Sequence, residues 1–191
     1  MTKLTQTDID NVNLMNTFVG TSLSLILASN VRHISNSKWF DCLSIRVRHI
    51  PSFGFLQMHY DFNEIEEKLI FNHRLVISQI SIDNKDNNIG DNVYDFKLTF
   101  DKEFRINKIY LLGRQLSYQE ETDEDAFRII NAIHYLADNQ ELLVANDWST
   151  SRLIFTTDKE EIIKFKSKYL TTNNNYLQFE LLEIDAEKNY R

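Results

Sequence analysis

Cys42 is the only thiol in the chain, and His33, His49, His59 and His73 lie in the same half of it. A cysteine with an imidazole base is the pair that nucleophilic catalysis by a thiolate requires. The neighbours of Cys42 argue otherwise. Trp39, Phe40 and Leu43 surround it in sequence, and a reactive thiol needs an electropositive, partly open setting. The better reading of Cys42 is a small buried hydrophobe. His59 and Asp61, two residues apart, would stand on one side of a strand, with Glu64 or His73 near. That fits a facial metal site only loosely, and no Cys pair or His-x3-His spacing accompanies it. A strand-edge histidine is the simpler expectation. The loop Asp83–Asp95 is rich in Asp and Asn, yet Gly90 is out of register and Lys85 occupies a ligand position of the helix–loop–helix calcium pattern. It reads as a solvated turn.

Four glycines leave no phosphate-cradling loop and no dinucleotide fingerprint. No serine is flanked by glycines as a nucleophile elbow needs. With 28 acidic residues, carboxylate pairs carry no weight by themselves. No cofactor and no metal is therefore expected.

Surface chemistry is more pronounced. Glu120, Glu121, Asp123, Glu124 and Asp125 put five acids in six residues. At a helix start they would match the positive end of the dipole. As a docking knob they would attract a basic protein. Trp39 and Trp148 sit beside polar sequence, and tryptophan is enriched among binding hot spots as well as in cores. Arg46, Arg48 and His49, with Arg32 and His33 upstream, form a basic cluster, most simply the charged outer face of a strand.

The 191 residues carry a net charge of −7, distributed unevenly. Residues 1–60 hold 5 basic and 3 acidic side chains, residues 61–120 hold 8 and 11, and residues 121–191 hold 8 and 14. Such a chain is repelled by phosphate backbones and by anionic membrane surfaces. Direct nucleic-acid or membrane partners are not expected, whereas a homo-oligomer is compatible with the composition. Phe18–Ala28 is too short to span a bilayer and lacks the flanks of a signal peptide. One cysteine allows no intramolecular disulfide, in keeping with a reducing, cytoplasmic location.

The elements that would position these residues follow from periodicity. Ile9, Val12, Met15, Val19, Leu23 and Ile26 recur every three or four residues, which predicts a helix over 7–28, with Gly20 as a weak point. Alternation predicts strands over 39–49 and 93–100, and further strands are expected over 53–60, 75–83, 104–112, 142–145, 153–156 and 176–184. The strands at 93–100 and 104–112 would form a hairpin. Short helical patterns appear over 63–71 and 158–170. A stronger one over 122–138 is capped by Thr122 and carries Ala126, Phe127, Ile130, Ile133 and Ala137 inward.

The expected fold is α+β: one domain over 1–185, an antiparallel meander-type sheet with three or four helices mainly on one face, and a frayed tail over 186–191. The expected function is that of a non-catalytic acidic domain that binds and occludes a basic protein partner, as immunity proteins and inhibitors do. Its contacts would be Glu120, Glu121, Asp123, Glu124, Asp125, Trp39 and Trp148. The alternatives are a small hydrolase or transferase with a site near His59 and Asp61 or Cys42, and a structural or assembly subunit.

Overall fold

The structure is a computed structural model. It describes residues 3–4, 14–15, 17–50, 54–65, 68–81, 94–116, 127–147, 152–171 and 177–185. In chain order the strands are β1 (Lys3–Leu4), β2 (Ser22–Ser29), β3 (Arg32–His33), β4 (Phe40–Cys42), β5 (Ser44–Ile50), β6 (Gly54–Ile65) and β7 (Lys68–Ser81). They continue with β8 (Tyr94–Arg105), β9 (Lys108–Leu116), β10 (Phe127–Leu136), β11 (Glu141–Asp147), β12 (Arg152–Thr156) and β13 (Leu177–Asp185). One helix, α1 (Lys159–Thr171), is described over its whole span between β12 and β13.

These strands make two antiparallel sheets. The larger runs β13-β9-β10-β11-β12-β4-β3, with β1 added in parallel to the start of β10. The smaller runs β7-β6-β5-β2-β8. The expected α+β layer, with three or four helices on one face of a single sheet, is thereby overturned: the fold is mostly β.

Residues 22–28 of the helix predicted over 7–28, and residues 127–136 of the one predicted over 122–138, are strand, for a common physical reason. In β2 the buried residues are Leu23, Ile26, Ala28 and Ser29. A β-bulge between Leu23 and Leu25 shifts the register against both neighbouring strands. One extra residue converts a two-residue step into a three-residue step, which imitates helical spacing. Of residues 7–21, Leu14 and Met15 are helical and 17–20 form turns, while 7–13 and 16 lie outside the described residues. Gly20 adopts φ +86° in the last of these turns, a left-handed conformation that glycine adopts without steric cost.

The helix predicted over 122–138 is β10 from Phe127 onward, and residues 117–126 lie outside the described residues. Asn131–Tyr135 are all buried, because the larger sheet is covered on both faces. Apolar residues on both sides of a strand carry no period to read. A bulge between Ile130 and Ala132 adds a further shift. The short helix predicted over 63–71 is the end of the β6–β7 hairpin, where Asn63 pairs with Asn72 and Ile65 with Lys68. The loop predicted at Asp101–Glu103 is part of β8.

The helix predicted over 158–170 is α1. Its N-cap is Asp158, whose Oδ1 accepts the Glu161 N–H at 3.1 Å, satisfying one of the orphan donors of the first turn. Glu160 and Glu161 occupy the positive end of the helix and Lys168 the negative end.

Three short connections among the described residues carry the chain from one sheet to the other, the first through Asn30 and Val31 between β2 and β3. β4 passes through Leu43 alone into β5, with Leu43 N–H donating to the Ser29 carbonyl at 3.0 Å. β8 passes through Ile106 and Asn107 into β9. At this corner Ile106 exchanges backbone bonds with Gly20 and Thr21 (2.9 and 2.8 Å), while Asn107 N–H donates to the Leu136 carbonyl at 2.8 Å. One core fills the space between the sheets, with Leu23, Ile26, Val47, Phe104, Ile133, Val144 and Phe155 among its members. A second lies on the other face of the larger sheet, where Ile162 of α1 packs on Leu112, Ala132, Leu143, Ala145 and Trp39.

Candidate functional site

Cys42 ends β4 and is fully buried. Burial pushes its thiol up to about 12, and the charge of Arg152 offsets only part of that rise. At neutral pH the sulfur is a thiol, so it is not a nucleophile. Cys42 should therefore fail to react with an aromatic disulfide reagent in the native protein. Its labelling rate should rise by several orders of magnitude in denaturant, and rapid labelling in native buffer would contradict the burial.

His49 lies opposite Leu23 and is also fully buried. Thr21 Oγ1 donates to the Phe18 carbonyl at 2.6 Å and stands 3.2 Å from His49 Nδ1. With the hydroxyl proton committed to Phe18, Nδ1 carries the imidazole proton and donates to Thr21. The ring packs 3.9 Å from Phe18 and 6.0 Å from Tyr135. Desolvation lowers its pKa to about 3, so the imidazole is neutral at physiological pH.

A second histidine, His134 of β10, forms a dyad beneath α1. Its Nε2 lies 2.8 Å from Glu141 Oε2. Tyr110 stacks on the imidazole at 5.7 Å, and Lys166 of α1 lies 4.6 Å from the centre of the tyrosine ring. Lys159 approaches Glu141 at 4.0 Å. Burial, and then the charge of Lys166, hold His134 below the ordinary histidine range, against the opposing pull of Glu141. The neutral ring donates from Nε2 to the carboxylate. The sequence reading missed this dyad. The two residues are seven apart, and their contact comes from the tight β10–β11 turn, which pairs Leu136 with Glu141.

A third polar cluster joins the two sheets at their edge. Arg152 of β12 is almost buried. It reaches Asp41 of β4 at 3.0–3.1 Å and both the carbonyl and the side-chain oxygen of Asn30. Asn30 turns with φ 52°, a left-handed conformation that asparagine tolerates. Arg32 contacts the same Asp41 oxygen from the solvent side at 3.2 Å.

Trp39 is turned inward: its indole N–H donates to Glu161 Oε2 at 2.9 Å, and its ring lies 5.5 Å from Phe165. It clamps α1 to the sheet. Glu120, Glu121, Asp123, Glu124, Asp125 and Trp148 lie outside the described residues. His59 stands opposite Ser44 on one side and Val76 on the other, and Asp61 stands opposite Arg74. His73 pairs with Phe62, one row further on. Of the loop predicted over Asp83–Asp95, Tyr94 and Asp95 are described, as the start of β8, and Asp95 accepts the Val31 N–H at 3.2–3.3 Å. Among the described residues no group of three His, Cys, Asp or Glu side chains could hold a metal ion.

The basic cluster is divided between two faces. His49 is inside, Arg48 is exposed, and Arg46 lies over the Tyr94 ring at 4.7 Å. Lys97, exposed, stands in one row with Leu27 and Arg46. The outer face of the smaller sheet is therefore basic at its centre. Among the described residues no helix is long and apolar enough to cross a membrane. No family model, no curated protein and no solved structure matches the chain.

Proposed function

We propose that this protein is a non-catalytic binding domain that occludes a basic protein partner, in the manner of immunity proteins and inhibitors. The observation that carries the reading is the closure of two groups that a catalyst could use. Cys42 is held as a buried thiol, and His49 is held neutral within the core. The charge supports it from the other side, because residues 121–191 hold 14 acidic against 8 basic side chains. A field of that sign raises the rate at which a basic partner is found. The acidic run Glu120–Asp125 is the contact we assign to that partner. Arg46, Arg48 and Lys97 disfavour the outer face of the smaller sheet for the same role. A reducing, cytoplasmic location suits a chain with one thiol and no intramolecular disulfide.

The test is capture from the source lysate with tagged wild type and with a variant carrying Lys at Glu120, Glu121, Asp123, Glu124 and Asp125. One stoichiometric basic protein retained by the wild type at low salt, released at high salt and lost by the variant is the expected result. Association with that protein should slow at least tenfold in the variant. Equal capture by both proteins would remove the acidic run from the reading.

A further inference from the structure

Asn131 and Asn146 are 1% and 4% exposed, and neither carboxamide nitrogen nor oxygen of either residue has a hydrogen-bond partner among the described residues. Leaving a buried amide unpaired costs on the order of 1–3 kcal/mol, so two together are conspicuous. They are also neighbours. Ala132 pairs with Ala145 across β10 and β11, and in an antiparallel ladder the next row brings Asn131 beside Asn146.

Asn146 belongs to the side that faces the smaller sheet, and Asn131 stands at the bulge beside it. Ile133, Leu142 and Val144 pack in the inter-sheet core, while Ala132, Leu143 and Ala145 pack under α1. Alternation from Val144 therefore brings Asn146 to the inter-sheet side. Asn131 is the residue that the register skips at the β10 bulge, and bulges re-aim single side chains. On the far side of Asn146 the row runs to Leu153 and then Cys42, both fully buried.

We propose that Asn131 and Asn146 form an internal binding site for one neutral, water-sized hydrogen-bonding molecule. Cross-strand neighbours have Cα atoms about 4.5–5.5 Å apart, so two carboxamides can converge on one small occupant. Water offers two donors and two acceptors, and the pair presents two acceptor oxygens and two donor nitrogens to it. Buried waters typically make about three such bonds. A charged occupant is disfavoured, because the row supplies no opposite charge and an unpaired ion would be desolvated at great cost. The site would hold the β10 bulge against β11 through the bound molecule.

Oxygen-17 magnetic relaxation dispersion of the intact protein, compared with the double variant N131L/N146L, tests the site. The wild type should show one more long-lived internal water than the variant. Identical dispersion in the two proteins would overturn the proposal. If the double variant does not fold, the wild type decides alone. The side-chain amide protons of Asn131 and Asn146 should show nuclear Overhauser contacts to long-lived water. Their absence, or direct contact between the two carboxamides, would overturn it equally.

Discussion

Phe155→Ala is expected to lower the free energy of unfolding by about 3–5 kcal/mol, the range for a buried aromatic truncated without collapse of its site. Phe155 is 1% exposed and stands where the two sheets meet. It stacks on Phe40 of β4 at 5.4 Å and meets Phe96 of β8 edge-on at 5.5 Å, and Phe40 and Phe96 are themselves 5.4 Å apart. Phe40 and Phe155 belong to the larger sheet and Phe96 to the smaller, so the trio ties one to the other. Urea denaturation should show a fall in midpoint with the slope preserved. Pairing the change with Phe96→Ala should reveal a coupling of about 0.5–1.5 kcal/mol across the sheets. Ile163→Ala, on the open side of α1 at 66% exposure, should change stability by less than about 0.5 kcal/mol. A loss below about 1 kcal/mol for Phe155→Ala would mean that the sheets do not pack through this trio.

Acid should destabilise the protein well before its carboxylates are titrated. His49 has a folded pKa of about 3, set by burial, against about 6.5 in the unfolded chain. Below pH 6.5 the unfolded state therefore binds a proton that the folded state does not. Stability contributed by the neutral imidazole is complete above pH 6.5 and is lost progressively as pH falls toward 3. Between pH 6.5 and 4.5 the loss from this one group is about 2–3 kcal/mol. His134, also held below the ordinary range by burial and Lys166, adds to the loss with the same sign. Replacing His49 by Leu should flatten the curve of stability against pH over this window. Thr21 keeps its own bond to the Phe18 carbonyl in that variant. Parallel curves for wild type and His49→Leu would show that the imidazole is solvated in the folded protein.

Much of the local structure is legible in the residues themselves. Tyr94, Phe96, Leu98 and Phe100 alternate with polar neighbours and form the first half of β8, whose outer residues Asp95, Lys97 and Thr99 are exposed. Ile45, Val47 and His49 alternate with Arg46 and Arg48 in β5, and the former set is buried. Asp158 announces α1 by its chemistry, because a carboxylate before a helical stripe caps the chain locally whatever packs around it. Cys42 is recognisable as a core residue from Trp39 and Phe40 beside it. Each of these features depends on neighbours within one turn or one strand.

The features that sequence reasoning misread depend on distant partners. The three-residue step from Leu23 to Ile26 has the spacing of a helix, and only pairing with β5 and β8 makes it a bulge. Residues 127–136 lack a strand period because one face meets the smaller sheet and the other meets α1. The corners at Leu43 and at Ile106–Asn107 send β4 and β8 from one sheet into the other without a proline or glycine to mark them. The polar clusters are equally non-local: Arg152 finds Asp41 111 positions away, and Trp39 finds Glu161 122 positions away. Composition and short-range periodicity thus decide charge, the capped helix and the outward-facing strands, since these are set by solvent and nearest neighbours. Tertiary packing alone decides that the chain is a two-sheet fold and that His49, His134 and the two asparagines Asn131 and Asn146 are enclosed, because burial on both faces erases the periodic signal from which sequence is read.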